Sequence, residues 1–387
     1  MKKFAIKTAY FLFFLVLFIF PLGQLVRLPL NIPGINIYTH DLMIGIIAIL
    51  EVFLFIKKRE KLLEIKLFKY ILLINFVFVF SWIINLYRWG SKESLIGFLY
   101  LIRWIAYSFL FLTAHRLAKR KKNIKKISII LILSSFAVSA LGLIQYLYIK
   151  DFRFLRYFGW DDNYYRLIGP FIDPTYTGII ICLGLLLAIV KLKKNLAYYL
   201  IILTNILAIF LTYSRSTYLA LFSGLLLIGI DKKIIKKIIP IVIVILIIIK
   251  LLPSEFGEST KLTRISTIFY RIDNYQSAIE IIKDNPIFGV GFNNIHLVKE
   301  KEGYFLNDKY LTNSRSGFDN SILSTWIMSG IIGVISLLAF GLKLAKKNFL
   351  AIFLIPILIH SLFSNTIFYP WVMIWFWVLL GIFKDDR

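Results

Sequence analysis

Cysteine is almost absent from this chain. The 387 residues hold one, Cys182, so no intrachain disulfide can form. The four histidines, His40, His115, His296 and His360, are scattered in no metal-ligand spacing, and there is no CxxC, no HExxH and no glycine-rich phosphate loop. Metal and cofactor are therefore not expected. Acid is scarce as well: 21 Asp and Glu stand against 46 Lys and Arg, a net charge of +25. No internal repeat, no low-complexity linker and no polar stretch long enough for a nucleotide-binding domain is present. What fills the chain is apolar. Hydrophobic residues make up 59%, aromatics 17%, and mean hydropathy is +0.78, which excludes an ordinary soluble domain.

Apolar runs long enough to cross ~30 Å of hydrocarbon as helices recur from end to end. We count about twelve, near 8–26, 40–56, 67–87, 95–115, 127–149, 173–190, 196–212, 215–231, 234–252, 319–342, 349–363 and 367–383. The first is preceded by Lys2, Lys3 and Lys7 but lacks a small-residue cleavage site, so it reads as a retained helix. The expected fold is all-α: a polytopic integral membrane helical bundle, one domain over 1–387, with an extracytoplasmic helical loop.

The positive charge is distributed as topology. With the N-terminus cytoplasmic, one set of connections collects Lys57, Lys58, Arg59 and Lys61, then Arg116 to Lys126, then Lys191 to Lys194, Lys232 to Lys237, and Lys343 to Lys347. Basic loops on one side are the positive-inside pattern, which puts both termini in the cytoplasm and makes nucleic acid an unnecessary explanation. Two opposite connections are substantial, 150–172 and 253–318. The second holds Ile268, Ile272, Tyr275, Ile279 and Ile282 at helical spacing, an amphipathic helix ended by Asn285-Pro286 and followed by a Gly289-Val-Gly291 turn.

Arg215 stands between two spans, in Thr212-Tyr-Ser-Arg-Ser-Thr217, on that same outer side. So do Arg166, Arg264, Arg271 and Arg315. A guanidinium cannot be deprotonated and is costly at a membrane boundary. Several converging there suit a diphosphate or another strongly anionic headgroup, since guanidinium groups bind phosphate oxygens bidentately. The alternative is that they meet lipid headgroups or pair with Asp161, Asp162, Asp273 and Glu280.

Four short patches resemble the O-antigen ligase and O-antigen polymerase superfamily. They are Arg166-Leu-Ile-Gly169 with Phe171-Ile-Asp-Pro174; Ser214-Arg215 through Leu219, an Arg-x-x-x-Leu element; Arg271 with Asn285-Pro286-Ile-Phe-Gly289-Val-Gly291; and Asp319-Asn320 followed by Gly330 and Gly333. Ligases of the family carry histidine where this chain has Asp319, which tilts the resemblance towards polymerases of the Wzy type. The resemblance implies a GT-C-like glycosyltransferase of the inner membrane, needing no metal. Its donor and acceptor are polyprenyl-diphosphate-linked oligosaccharides, and a chain-length regulator protein is a further partner. It also implies roles: Arg215 and Arg271 on the diphosphate, Arg166 as a third contact, and Asp319 as the base that takes the acceptor proton. Arg264, Arg103, Asn320 and Tyr213 complete the candidate substrate contacts. Asp319 is also a good helix N-cap on sequence alone.

Other residues divide between function and packing. Arg103 lies in mid-span, where it could reach the lipid pathway, pair with Glu51 or snorkel; Glu51 itself reads as snorkelling. His360 and Asn365 are candidate cavity residues, His296 a solvated loop histidine. Tyr157, Phe158, Trp160, Tyr164 and Tyr165 suit either sugar stacking or the membrane interface. Trp371, Trp375 and Trp377 read as interface anchors. Two other functions compete with polymerisation: ligation of the glycan to another acceptor, and transport of an anionic lipid-linked substrate.

Overall fold

The structure, a computed structural model, describes residues 2–30, 34–58, 66–191, 195–302, 317–345 and 348–383. All twelve expected apolar segments lie on helices: α1 (Lys2–Ile19, continued by a 3-10 turn to Val26), α2 (Thr39–Lys58), α3 (Lys66–Trp89), α4 (Leu95–Ser108) with α5 (Leu110–Ala118), α6 (Lys121–Tyr148), α7 (Pro174–Val190), α8 (Leu196–Leu211), α9 (Arg215–Asp231), α10 (Ile235–Lys250), then α13 (Ser321–Ala345), α14 (Asn348–Ser361) and α15 (Pro370–Ile382). Between α10 and α13 come α11 (Ser266–Asp284) and α12 (Ile295–Lys301). Among the described residues there is no strand, only two isolated bridges. Six segments are long and apolar enough to cross a membrane; α7, α8, α14 and α15 are apolar but shorter. The fourth expected span is not one helix, because it breaks at Phe109 into α4 and α5.

The core forms around α15. Trp371, Trp375 and Trp377 are 2%, 0% and 1% exposed, which corrects their reading as interface anchors: they pack inside the bundle, against Tyr38, Phe20 and Trp104 respectively. Polar residues join the helices where hydrocarbon alone would not. Asn205 on α8 donates to Ser135 Oγ (3.2 Å) and accepts from Ser139 Oγ (2.8 Å), both on α6. Glu51 does not snorkel; it is buried against Thr113 and Arg116.

The helix over 266–284 is present and stops at Asn285 as expected. Ile268, Ile272 and Ile279 are exposed, whereas Ala278, Ile281 and Ile282 are buried and Arg271, Asn274 and Tyr275 are half-buried. An apolar stripe alone could not identify this face, because the inward side is partly polar.

α13 is interrupted at Gly330, which has φ +66° and leaves the helical conformation. The segment after α11 fills the break. Val290 N–H donates to Ile327 O (2.7 Å), Ile331 N–H to Pro286 O (2.9 Å), and Ser81 Oγ of α3 lies within 2.8 Å of both Phe288 O and Met328 O. Backbone groups freed by the kink are thus satisfied by inserted backbone, the only arrangement that low-dielectric surroundings tolerate. The contact is so close that a Cβ on Gly330 would lie 1.8 Å from Ile287 O. Gly330→Ala should therefore destabilise by at least about 2 kcal/mol, combining positive-φ strain with a backbone clash. Gly341→Ala, in the same helix with nothing within 4 Å of the added atom, should be neutral or gain up to ~1 kcal/mol. Thermal unfolding of the detergent-solubilised variants measures both.

Candidate functional site

The site lies where one end of the bundle meets the two large connections. The N-terminal ends of α7, α9 and α13 and the turn after α14 come together there. Thr217 of α9 donates to Thr175 O at the start of α7, and Ser321 of α13 to Ser364 O in the turn. Each N-terminus is capped by its own residue: Asp173 accepts from Thr175 and Tyr176 N–H, Ser214 from Thr217 N–H, and Asn320 from Ile322 and Leu323 N–H.

Four arginines converge on this end. Arg215, the first residue of α9, donates to Leu262 O (3.3 Å), Arg264 O (3.4 Å) and Thr267 Oγ1 (2.5 Å), tying the connection before α11 to α9. Arg166 donates from Nε to Thr212 O (2.9 Å). Arg264 donates to Ser259 O (2.8 Å). Arg271, on the inward face of α11, sits over the Phe363 ring at 5.6 Å. None of the four makes an ion pair with an acid among the described residues. They are held by carbonyls and rings instead. Burial, with Arg166, Arg215 and Arg271 close by, pushes the Arg264 guanidinium down to about 9. Burial likewise brings Arg166 down to about 10, against the pull of Asp173 and Asp161.

Facing them is a wall of carboxyls. Burial raises Asp319, with Arg271 and Lys299 opposing and Asp161 adding to the rise. Burial raises Asp173 as well, opposed by its capping bonds and Arg166. Asp161 from the 150–172 connection, although exposed at its surface, reaches about 6 through the desolvating protein around it and then the neighbouring charges of Asp173 and Asp162, against Arg166. Tyr176 lies within electrostatic reach of all three.

Asp319 is not the cap of α13. Asn320 takes that work and also donates to Leu362 O (3.3 Å), so the candidate contact Asn320 is placed as a structural residue. The Asp319 main chain is fixed by Asn274 Oδ1 (3.1 Å), and its carboxylate accepts no hydrogen bond among the described residues. Two other candidates are placed differently from expectation. Tyr213 is 1% exposed with its hydroxyl donated to Pro253 O (3.0 Å), so it braces the connection. Arg103 pairs with Asp41 at 2.8 Å, not with Glu51, and is flanked by the Tyr100 and Tyr38 rings. Arg315 lies outside the described residues. His360 is buried with Nδ1 at 2.7 Å from Thr366 Oγ1, close enough to Arg271 to feel its charge. His296 is half-buried over Asn293 O. Tyr165 stacks on Phe256 at 4.2 Å, so that face is covered, while Tyr157 and Phe158 are exposed.

Sequence reasoning gave no role to Asp173, Tyr176, Tyr275 or Lys299. Only Asp173 carried a local signal, an aspartate before proline at the start of a span.

Four mutually repelling cations without ion pairs make opposite predictions for the apo and anion-bound states. Arg271→Gln should raise the melting temperature without added anion and reduce the shift produced by inorganic pyrophosphate. Saturating pyrophosphate at ~100 Kd should stabilise the wild type by about 2.7 kcal/mol; differential scanning fluorimetry reads both. Asp161 supplies a pH test. Its folded carboxyl keeps a proton to about pH 6, whereas an unfolded one loses it near ~3.9. Stability is lost as pH rises between those values and stays lost above them. Asp161→Asn should therefore stabilise at pH 7.5 and have no effect below about pH 4, which melting curves at the two pH values will show.

No curated protein matches the chain. A family model described as O-antigen ligase matches residues 197–338, which run from α8 through Arg215, Arg264, Arg271 and Asp319 to the Gly330 break of α13. Over that stretch the chain is similar to the O-antigen ligase family, and six of its helical segments are long and apolar enough to cross a membrane.

Proposed function

We propose that this protein polymerises lipid-linked oligosaccharides at the extracytoplasmic face of the inner membrane. It would transfer a glycan from a polyprenyl diphosphate donor to a hydroxyl of a second lipid-linked unit. The observation that carries this is a group of four arginines, free of ion pairs among the described residues, one of which, Arg271, also acts on the carboxylate of Asp319. A diphosphate leaving group needs positive charge that strengthens as the bond breaks, and prearranged guanidinium groups supply it. Arg215, Arg271, Arg166 and Arg264 take this role. Arg215 has a second one, because its contacts with residues 262–267 hold Arg264 and α11 in place.

In the reaction, the acceptor oxygen attacks the anomeric carbon and the carbon–oxygen bond to the diphosphate breaks. The polyprenyl diphosphate leaves with the electron pair, and the hydroxyl proton passes to Asp319. A carboxylate raised above its usual range by burial is better matched to that proton than a solvated one. Arg103 and Tyr213 are left as braces. Ligation to another acceptor is the second reading, favoured by the description of the matching family model. Transport is less well supported, since the break in α13 is filled by backbone and offers no substrate site.

Complementation of a polymerase-deficient strain tests the reading, with membrane abundance of each variant checked by immunoblot. Wild type should restore a ladder of polymer lengths. In membrane vesicles Asp319→Asn should lower turnover by roughly 10²–10⁴-fold, and Arg271→Gln by about 10²–10³-fold. An undiminished ladder from Asp319→Asn would remove its role. Transfer of a single glycan to a non-polymeric acceptor would favour ligation.

A further inference from the structure

The segment carrying Asp319 is held from several directions. Phe318 O accepts from Ser324 Oγ of α13 (3.3 Å), Asp319 N–H donates to Asn274 of α11 (3.1 Å), and Asn320 donates to Leu362 O. The remaining grip comes from α12. Lys299 is only 5% exposed, donates from Nζ to Gly317 O at 2.6 Å, and places its ammonium 4.0 Å from the Phe318 ring centroid. Burying an ammonium is costly, and a methionine would fill the same volume without that cost. The charge lies within electrostatic reach of Asp319, the carboxylate assigned to proton transfer.

We propose that Lys299 is a positioning residue for Asp319: it fixes the main chain at Gly317 and Phe318 and keeps the carboxylate aimed at the acceptor hydroxyl. This rests on the reading of Asp319 as proton acceptor. Lys299 touches no substrate; it acts through the two residues that precede Asp319. Burial lowers the Lys299 ammonium to about 8, while Asp319 opposes that fall, so the two groups sustain each other's charge. The groups facing Asp319 from the packed elements are Arg271 and Tyr275 on α11, Lys299 on α12, Tyr176 and Asp173 at α7, and Asp161 in the 150–172 connection.

Steady-state kinetics of the full-length protein, with a fluorescent polyprenyl-diphosphate oligosaccharide, separates this role from simple loop stapling. Lys299→Met should lower kcat by roughly 10–100-fold, the loss expected for a small misplacement of a catalytic group. KM for the donor should change by less than about 2-fold, because the arginines are untouched. Lys299→Arg should recover kcat to within about 5-fold of wild type. In an Asp319→Asn background, adding Lys299→Met should cost less than about 2-fold more, because both act on one step. An unchanged kcat in Lys299→Met, a rise in KM alone, or fully multiplicative losses in the double variant would overturn the proposal. Should Lys299→Met fail to fold, Phe318→Leu removes the ring under the ammonium and should show the same kcat loss and the same non-additivity. Asp319→Asn alone at wild-type kcat would defeat the reading of Asp319, whereas Lys299→Met alone at wild-type kcat would defeat only the positioning role.

Discussion

Four guanidinium groups held together without ion pairs among the described residues are the constraint around which this end of the molecule is built. Like charges at close range raise the energy of the empty site, so the chain must hold them by other means. It uses main-chain carbonyls: Thr212 for Arg166, Leu262 and Arg264 for Arg215, Ser259 for Arg264. Each such bond to a charged donor contributes about 1.5–3 kcal/mol. Supplying them requires irregular backbone at the end of α8 and before α11. Carboxylate partners would neutralise the cluster and close it to an anion. Carbonyls orient the guanidinium groups and leave their full charge available.

The break in α13 belongs to the same design. A helix that starts at the site and continues unbroken would have its orientation set by packing along its whole length. The kink at Gly330 separates the first two turns, which begin beside Asp319, from the remainder that packs in the bundle. Insertion of 286–290 into the break couples that short segment to α11, the helix bearing Arg271. The cationic and acidic halves of the site therefore share one mechanical support.

Much of the fold could be read from residue order. Runs of apolar residues located all twelve segments, because a bilayer leaves few alternatives to helices and their length is bounded by its thickness. Where reading failed, the decisive contacts were distant in sequence. Trp371, Trp375 and Trp377 have the composition of an interfacial belt, and only the packing of α5 and the Tyr38 region around α15 makes them core. Arg103 had Glu51 as a visible partner, yet Asp41 takes it, while Glu51 is drawn to Arg116. The arginines of the site were legible because a fixed charge at a span boundary is expensive enough to be noticed. Lys299 was not, since a lysine in a polar connection is unremarkable until its burial is known.

Asp319 shows how a small register difference sets what a side chain is free to do. Two residues at the start of α13 could each cap the helix, and a cap must spend its oxygen on backbone N–H groups. Asn320 does so, accepting from Ile322 and Leu323. An amide caps as well as a carboxylate but cannot accept a proton at neutral pH. Placing the amide at the cap and the acid one residue earlier gives each the task its chemistry allows. Asp173 is the contrasting case at α7: it caps its helix with one oxygen, accepting from Thr175 and Tyr176, and so is tied down where Asp319 is not. Of the three carboxyls facing the arginines, Asp319 therefore combines desolvation, a cationic neighbour in Arg271 and freedom from capping. Those are the conditions for receiving a proton from an acceptor hydroxyl.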